Sequence, residues 1–190
     1  MGLLIGSGVG IIIAVTLHSL PKLREAFYPI IILTQNIPII VLAPLLVIWF
    51  GFGMLPKIIV ITLVCFFPIT VAALDGFRHT TAELTHYMKM AGASKKQIFW
   101  KVEWPYALPS LFSGLKIAAT YSVMGAVISE WLGAKEGIGV FMTLASSSFR
   151  TDRVFVAIFL IMILSLIFFA LISSLEKIIV KGKPKGEGKN

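Results

Sequence analysis

Few residues of this sequence have the types and spacing that enzyme chemistry requires. The three histidines, His18, His79 and His86, are too scattered for metal-ligand spacing, and the single cysteine, Cys65, stands in an apolar run where it suits a small core side chain. No Gly-x-x-x-x-Gly-Lys-Ser/Thr loop is present to hold ATP phosphates, and the glycine-rich GAKEGIG at 133–139 suits a turn. The sequence therefore predicts no catalytic, metal or cofactor residues.

Two adjacent polar residues, Gln35 and Asn36, stand with Pro38 inside an apolar stretch and could line a solute path. Proline removes a backbone donor and clashes with the preceding turn, so the stretch 27–50 is predicted to be kinked or interrupted. Irregular backbone within a membrane is tolerated where it is buried in protein or lines a water-filled path. Gln35 and Asn36 either line such a translocation path or make hydrogen bonds between helices.

The elements that must position these residues are membrane helices. Hydrophobic residues make up 57% of the 190 residues and charged residues only 14%, well below the roughly 25% charged residues of soluble domains. A helix needs about 20 apolar residues to cross a membrane. The sequence predicts an all-α integral membrane protein with five transmembrane helices, in the apolar runs 3–20, 27–50, 57–75, 106–129 and 154–175.

The basic residues predict the orientation of these helices, because cytoplasmic loops carry an excess of Lys and Arg. Residues 21–26, 76–105 and 176–190 together hold twelve Lys and Arg residues, whereas the opposite side holds four. This asymmetry accounts for the basic composition without a nucleic-acid partner. It predicts a cell-membrane, multi-pass protein whose C-terminus, including a flexible basic tail at 179–190, lies in the cytoplasm.

Two further features concern helix packing within the membrane. Gly2, Gly6 and Gly10 recur every four residues, so they share one face on which another helix can approach closely. Lys116 stands inside the fourth apolar run, and its long stem is expected to reach the cytoplasmic headgroups.

The hydrophilic segment between the third and fourth runs carries two helix-start signatures. Thr80 with Glu83 and Ser94 with Gln97 each fit a capping box, and Gly92 stands where a left-handed residue would end the first helix. The segment is therefore predicted to form a helix, a sharp bend and a second helix. Its first helix is amphipathic, which suits either the headgroup region or the groove of a soluble partner.

Two prolines are expected to delimit the end of this segment. Pro105 is expected to break the second helix, and Pro109 stands where the next span begins.

The motif formed by Gly92, nine residues, Val102, one residue, Trp104 and Pro105 resembles the cytoplasmic EAA loop of type I ABC importer permeases. The likeness extends over AGASKKQIFWKVEWPYALPSLFSGLKIA, NIPIIVLAPLLVIWFGFG and SEWLGAKEGIGVFM. These segments resemble the branch that serves taurine, alkanesulfonates, nitrate and thiamine precursors. The sequence differs where the family has Glu-Ala-Ala, because His86, Tyr87 and Met88 stand there.

This resemblance implies a permease subunit that forms the solute path while ATP hydrolysis occurs in a partner. The implied partners are ABC ATPase subunits, a second copy of the permease, an extracytoplasmic solute-binding protein and membrane lipid. Residues 1–178 would form the type-1 transmembrane domain, shortened at its N-terminus by one helix relative to the family. The implied ATPase-coupling residues are Glu83, Leu84, His86, Tyr87, Met88, Gly92, Ala93 and Ser94. The implied loop-structural residues are Val102, Trp104, Pro105 and Pro109.

Two other classes of protein also fit the residues. A secondary transporter or channel is supported by the predicted break in the second run, and a membrane scaffold without transport is supported by the basic tail. A stoichiometric ATPase partner distinguishes the permease from both.

Overall fold

The computed structural model describes residues 1–131 and 133–180, and in those residues all regular structure is helical. The helices are α1 (Gly2–Ser19), α2 (Pro21–Thr34), α3 (Ile39–Phe50), α4 (Met54–Arg78), α5 (Ala82–Met90), α6 (Lys95–Ile98), a π-helical turn (Phe99–Glu103), α7 (Trp104–Glu130), α8 (Ile138–Ser147) and α9 (Thr151–Ile179). Helix α4 lies at the centre and packs against α1 on one side and α7 on the other. The predicted basic tail, 179–190, lies outside the described residues apart from Ile179, which ends α9, and Val180.

In the described part of the chain, four helical segments are long and apolar enough to cross a membrane, and the bent pair α2–α3 provides a fifth crossing. Helices α1 and α4 run in the same direction, because Gly2 lies against Ile61 and Gly10 against Ile69. The intervening chain must therefore return across the membrane. Helices α2 and α3 make that return with a bend of 93° between them, so the predicted interruption of the second span is confirmed.

The glycine face of α1 packs directly on α4, as the four-residue spacing predicted. A Cβ atom added at Gly6 would lie 2.8 Å from the Cβ of Cys65, and one added at Gly10 would lie 2.8 Å from the carbonyl oxygen of Phe66. Thr70 Oγ1 donates to the Gly10 carbonyl across 3.2 Å. Because no space remains for a side chain, α1 and α4 form one closely packed pair.

The expectation that Pro105 would break the second cytoplasmic helix is wrong. Residues from Lys95 to Glu130 form one continuous helical segment of 36 residues, with the π-helical turn directly before α7. Pro105 occupies the first turn of α7. In a regular α-helix its ring would clash with the carbonyl four residues earlier, at Lys101. Lys101 lies in the wider π-helical turn, which leaves room for the ring. Pro109 lies inside α7, about one turn beyond its start.

Lys116 pairs with an acidic residue of another helix, which the sequence did not predict; its expected reach to the headgroups stays a prediction. Its Nζ atom lies 2.6 Å from Glu176 Oε2 on α9, and each side chain is only about one fifth exposed. The ammonium also lies 5.9 Å from the centre of the Phe169 ring. This contact joins α7 to α9, which otherwise shows mostly exposed apolar side chains.

Helix α8 was not predicted, because its ten residues are too few to register as a span. Its N-terminus is held by Glu130, whose Oε2 accepts a hydrogen bond of 2.7 Å from the Gly139 backbone N–H. A carboxylate at this end of a helix also opposes the positive end of the helix dipole. The end of α7 and the start of α8 are thereby joined.

Candidate functional site

The segment of residues 82–98, here the bend segment, consists of α5, a tight turn and α6. Gly92 has a φ of +79°, its N–H donates to the Lys89 carbonyl, and the Ala93 N–H donates to the Met88 carbonyl, both across 3.0 Å. These two hydrogen bonds form a Schellman motif, in which a residue in the left-handed conformation ends the helix. Gly92 therefore ends α5 as the sequence predicted.

A capping box begins the second helix of the bend segment. The Gln97 N–H donates to Ser94 Oγ across 3.3 Å, and the Ser94 N–H donates to Gln97 Oε1 across 2.8 Å. The capping box predicted for Thr80 and Glu83 is absent, because α5 begins one residue later, after Thr81, and shows no side-chain cap. Glu83 is instead an exposed acidic residue of the first turn of α5.

Helix α5 presents apolar side chains that the described part of the chain leaves uncovered. None of its residues is buried. Leu84 and Met88 are half-buried toward the protein, whereas Tyr87 is 70% and Met90 75% exposed. His86 is exposed beside them. An exposed aromatic and an exposed thioether on a helix that ends in a Schellman motif are suited to contact with a protein partner.

The bend segment is fastened to the bundle just beyond α6. Ile98 and Val102 are buried, and the half-buried rings of Phe99 and Trp104 lie 6.1 Å apart, centre to centre. Val102 is thus buried and Trp104 contacts another aromatic ring, while the structural role implied for these two residues stays a prediction.

A further polar contact, which sequence reasoning missed, lies at the same place. His18 Nε2 is 2.8 Å from Glu103 Oε2, and the His18 ring stacks on Phe77 at 4.5 Å between centres. We call His18, Phe77, Phe99, Glu103 and Trp104 the junction cluster. The position of His18 in the last turn of α1 was the available signal, but the acidic partner stands 85 residues away in the sequence.

A second candidate site lies at the break between α2 and α3. A cavity of about 330 Å³ is lined there by Thr34, Gln35, Ile37, Ile39, Leu42, Leu63, Val64, Phe66, Phe67, Pro68, Tyr121 and Met124. A neighbouring cavity of about 370 Å³ shares Gln35, Phe67, Pro68 and Tyr121, and it adds Arg24, Tyr28, Asp75 and Arg78. We call the first of these the break cavity.

Of the three residues proposed for a translocation path, one lines the cavities at the break and two do not. Gln35 lines both cavities. Asn36 lines neither; its Nδ2 donates to the Ile32 carbonyl, one turn earlier in the chain, across 3.3 Å. Pro38 lines neither and instead precedes α3 as its N-cap.

A helical membrane bundle with a broken span, a cavity at the break and an exposed helical bend is the arrangement expected of a multi-pass transport protein. The chain belongs to the family described as binding-protein-dependent transport system inner membrane components, which matches residues 6–181.

Several relatives carry names that specify their transport activity. Over 185 residues the chain is 37% identical to the formylaminopyrimidine transport permease protein ThiX of Halalkalibacterium halodurans, covering 97% of this chain and 74% of that protein. It is 32% identical over 159 residues to the riboflavin transport system permease protein RibX of Chloroflexus aurantiacus, covering 84% and 59% respectively. It is 33% identical over 156 residues to the taurine transport system permease protein TauC of Escherichia coli, covering 82% and 57%.

These relationships confirm the family resemblance found in the sequence. The chain is a transmembrane permease subunit of an ABC importer and a multi-pass membrane protein. The family name itself makes transport dependent on a binding protein. Membership in this class implies ATPase and binding-protein partners and makes this chain a transport component.

Proposed function

We propose that residues 1–178 form half of a solute path and that the bend segment docks onto an ATPase subunit on the cytoplasmic side. The observation that carries this proposal is the exposure of Tyr87 and Met90 on α5, a helix that ends in a Schellman motif and is followed directly by the capping box that begins α6. Such a helix presents a fixed shape to its partner, so little ordering cost is added on docking. Glu83, His86 and Lys89 supply the polar surroundings of this surface.

The second half of the path is a second copy of the chain. The break cavity opens on the side of the single chain, and Gln35 and Tyr121 in its lining are exposed there. A solute path through a membrane must be enclosed, because exposed polar groups are costly against lipid. An identical subunit placed against this face by a two-fold axis closes both cavities at once.

The remaining surfaces suit the other components of such an importer. Helix α9 is only 6% buried over its most apolar stretch and faces lipid. The end of α9 lies toward the side that carries the bend segment, because Glu176 near that end pairs with Lys116 in the first half of α7, and the external binding protein docks at the opposite side. The transported solute is small enough for the break cavity of about 330 Å³, as the solutes in the names of ThiX, RibX and TauC suggest.

Two cysteine substitutions, each made separately, test both the orientation of the chain in the membrane and the docking of the bend segment onto an ATPase. Tyr87→Cys places a thiol on α5, and Phe149→Cys places one at the other end of the bundle, where Phe149 is 93% exposed. The native Cys65 is buried and serves as an unreactive background. In intact cells, a membrane-impermeant maleimide should label the Phe149→Cys variant and leave the Tyr87→Cys variant unlabelled.

The same variants report the ATPase contact. After purification with its partners, the Tyr87→Cys variant should crosslink through its new thiol to a stoichiometric ATPase subunit, whereas the Phe149→Cys variant should not. Labelling of the Tyr87→Cys variant from outside the cell, or purification without an ATPase, would contradict the proposal. The latter result would favour a secondary transporter, a channel or a scaffold.

A further inference from the structure

The junction cluster contains an acid–base contact that the proposed docking does not use. His18 Nε2 and Glu103 Oε2 lie 2.8 Å apart, and their side chains are only 21% and 22% exposed. A hydrogen bond to a charged group that is largely withdrawn from water is stronger than a neutral one. This contact joins the end of α1 to the last residue of the π-helical turn.

The His18 ring is fixed by a second neighbour, which makes its position specific. It stacks on Phe77 of α4 with an angle of 21° between the ring planes. Phe77 in turn lies 5.7 Å from Phe99 and 6.3 Å from Trp104, centre to centre. The imidazole is therefore held between α4 and the turn that follows the bend segment.

A displacement of the bend segment has a continuous route into the bundle at this point. Glu103 ends the π-helical turn that directly follows α6, and it holds His18 at the end of α1. Helix α1 packs on α4 through its glycine face without free space. Helix α4 supplies Phe67 and Pro68 to the break cavity.

We propose that His18 and Glu103 are positioning residues that transmit movement of the bend segment to α1 and α4, and so to the break cavity. This inference rests on the proposed docking of the bend segment onto an ATPase. Neither residue touches the solute or ATP. Their role is to keep the bend segment and α1 moving together.

A cysteine reporter in the break cavity tests the transmission without knowledge of the solute. Gln35→Cys places an accessible thiol in the cavity lining, while Cys65 is buried. The probe is 2-sulfonatoethyl methanethiosulfonate, applied to the permease–ATPase complex in proteoliposomes with and without ATP and orthovanadate. The measured quantity is the change in the modification rate of this reporter thiol caused by nucleotide.

Two variants remove the contact in different ways. His18→Phe retains a ring to stack on Phe77 but removes the hydrogen-bond donor, and Glu103→Ala removes the acceptor. Each should reduce the nucleotide-dependent change about tenfold, as expected for the loss of one hydrogen bond to a charged group, while ATP hydrolysis continues. The double variant should be no worse than either single variant, because both remove the same interaction.

Rescue and control variants separate positioning from general stability. His18→Gln retains a donor of similar reach and should restore most of the nucleotide-dependent change. His79→Phe is the control, because His79 also lies near an acid: its Nδ1 is 3.8 Å from Asp75 Oδ2. Both side chains of that pair are more than half exposed, so the pair is expected to contribute little. Combined with Gln35→Cys, this control should show the same nucleotide-dependent change in modification rate as Gln35→Cys alone.

The outcomes distinguish this inference from the proposed function beneath it. If the Gln35→Cys permease without further substitutions shows no nucleotide-dependent change in modification rate, the proposed docking of the bend segment onto an ATPase is contradicted. If the Gln35→Cys permease responds to nucleotide, and adding His18→Phe or Glu103→Ala leaves that response unchanged, only the proposed role of the His18–Glu103 pair is contradicted. If His18→Phe does not assemble, Glu103→Ala decides the question. A loss of thermal stability parallel to the loss of response, without rescue by His18→Gln, would show a structural role alone.

Discussion

Substitution of Gly92 should weaken ATPase docking in proportion to the strain it imposes on the bend. The φ of +79° lies in the left-handed region, and an added Cβ would meet no described atom within 4 Å. The cost of a side chain is therefore conformational and not a clash. For alanine this cost is about 1–2 kcal/mol, which is about a five- to thirtyfold change in an equilibrium constant.

The bend has little tertiary support against this strain, because no residue of α5 is buried. If Gly92→Ala makes the docking conformation a minor one, the apparent affinity for the ATPase falls by as much as this factor, which is its upper limit. Asparagine tolerates the left-handed region, so Gly92→Asn should cost much less than Gly92→Ala. Gly92→Val should cost more than either, because a β-branched residue is strongly disfavoured there.

The assay is a titration of the purified permease with its ATPase subunit in detergent, measuring the dissociation constant of each variant. Gly8→Ala is the matched control, since Gly8 is exposed in α1, has no described neighbour within 4 Å of an added Cβ and is not in the left-handed region. It should leave the dissociation constant unchanged. A Gly92→Val permease that binds the ATPase as tightly as the native chain would refute the reasoning.

Three further predictions concern the stability of the bundle and are checked by thermal unfolding of the purified permease. Gly6→Ala should destabilise it by about 1–3 kcal/mol through overpacking against α4, whereas Gly8→Ala should not; equal melting temperatures would contradict the close α1–α4 contact. Lys116→Met should cost about 3 kcal/mol by leaving Glu176 unpaired, and adding Glu176→Leu should recover most of that loss; failure of the second change to help would argue against the pair. Phe149→Gly should raise stability by about 1 kcal/mol, because Phe149 is exposed and has a φ of +56°; a lower melting temperature would show that its ring makes an important contact.

Features set by neighbouring residues could be predicted from the sequence. Gly92 ends α5, and Ser94 with Gln97 begins α6, because these hydrogen bonds link residues only a few positions apart. The glycine face of α1 follows from helical periodicity in the same way. The prolines around Gln35 correctly predicted an interrupted span, because the effect of proline on a helix is local.

Features that depend on the tertiary arrangement could not be predicted. The partner of Lys116 is Glu176 and that of His18 is Glu103; neither follows from spacing, because each pair joins different helices. Pro105 was read by the local rule for proline, yet the preceding π-helical turn accommodates it. Gln35 lines a cavity, but its role in a solute path stays a prediction.

The continuity of the helix across the π-helical turn has a mechanical consequence. The 36 residues from Lys95 to Glu130 span about 54 Å at the usual rise of 1.5 Å per residue, enough to reach from one face of the membrane to the other. A displacement of this helix along its axis at Lys95 would also displace Glu130, which binds the first turn of α8. If the bend segment docks onto an ATPase as proposed, a movement imposed at that end of the helix reaches the far end of the bundle along one continuous backbone.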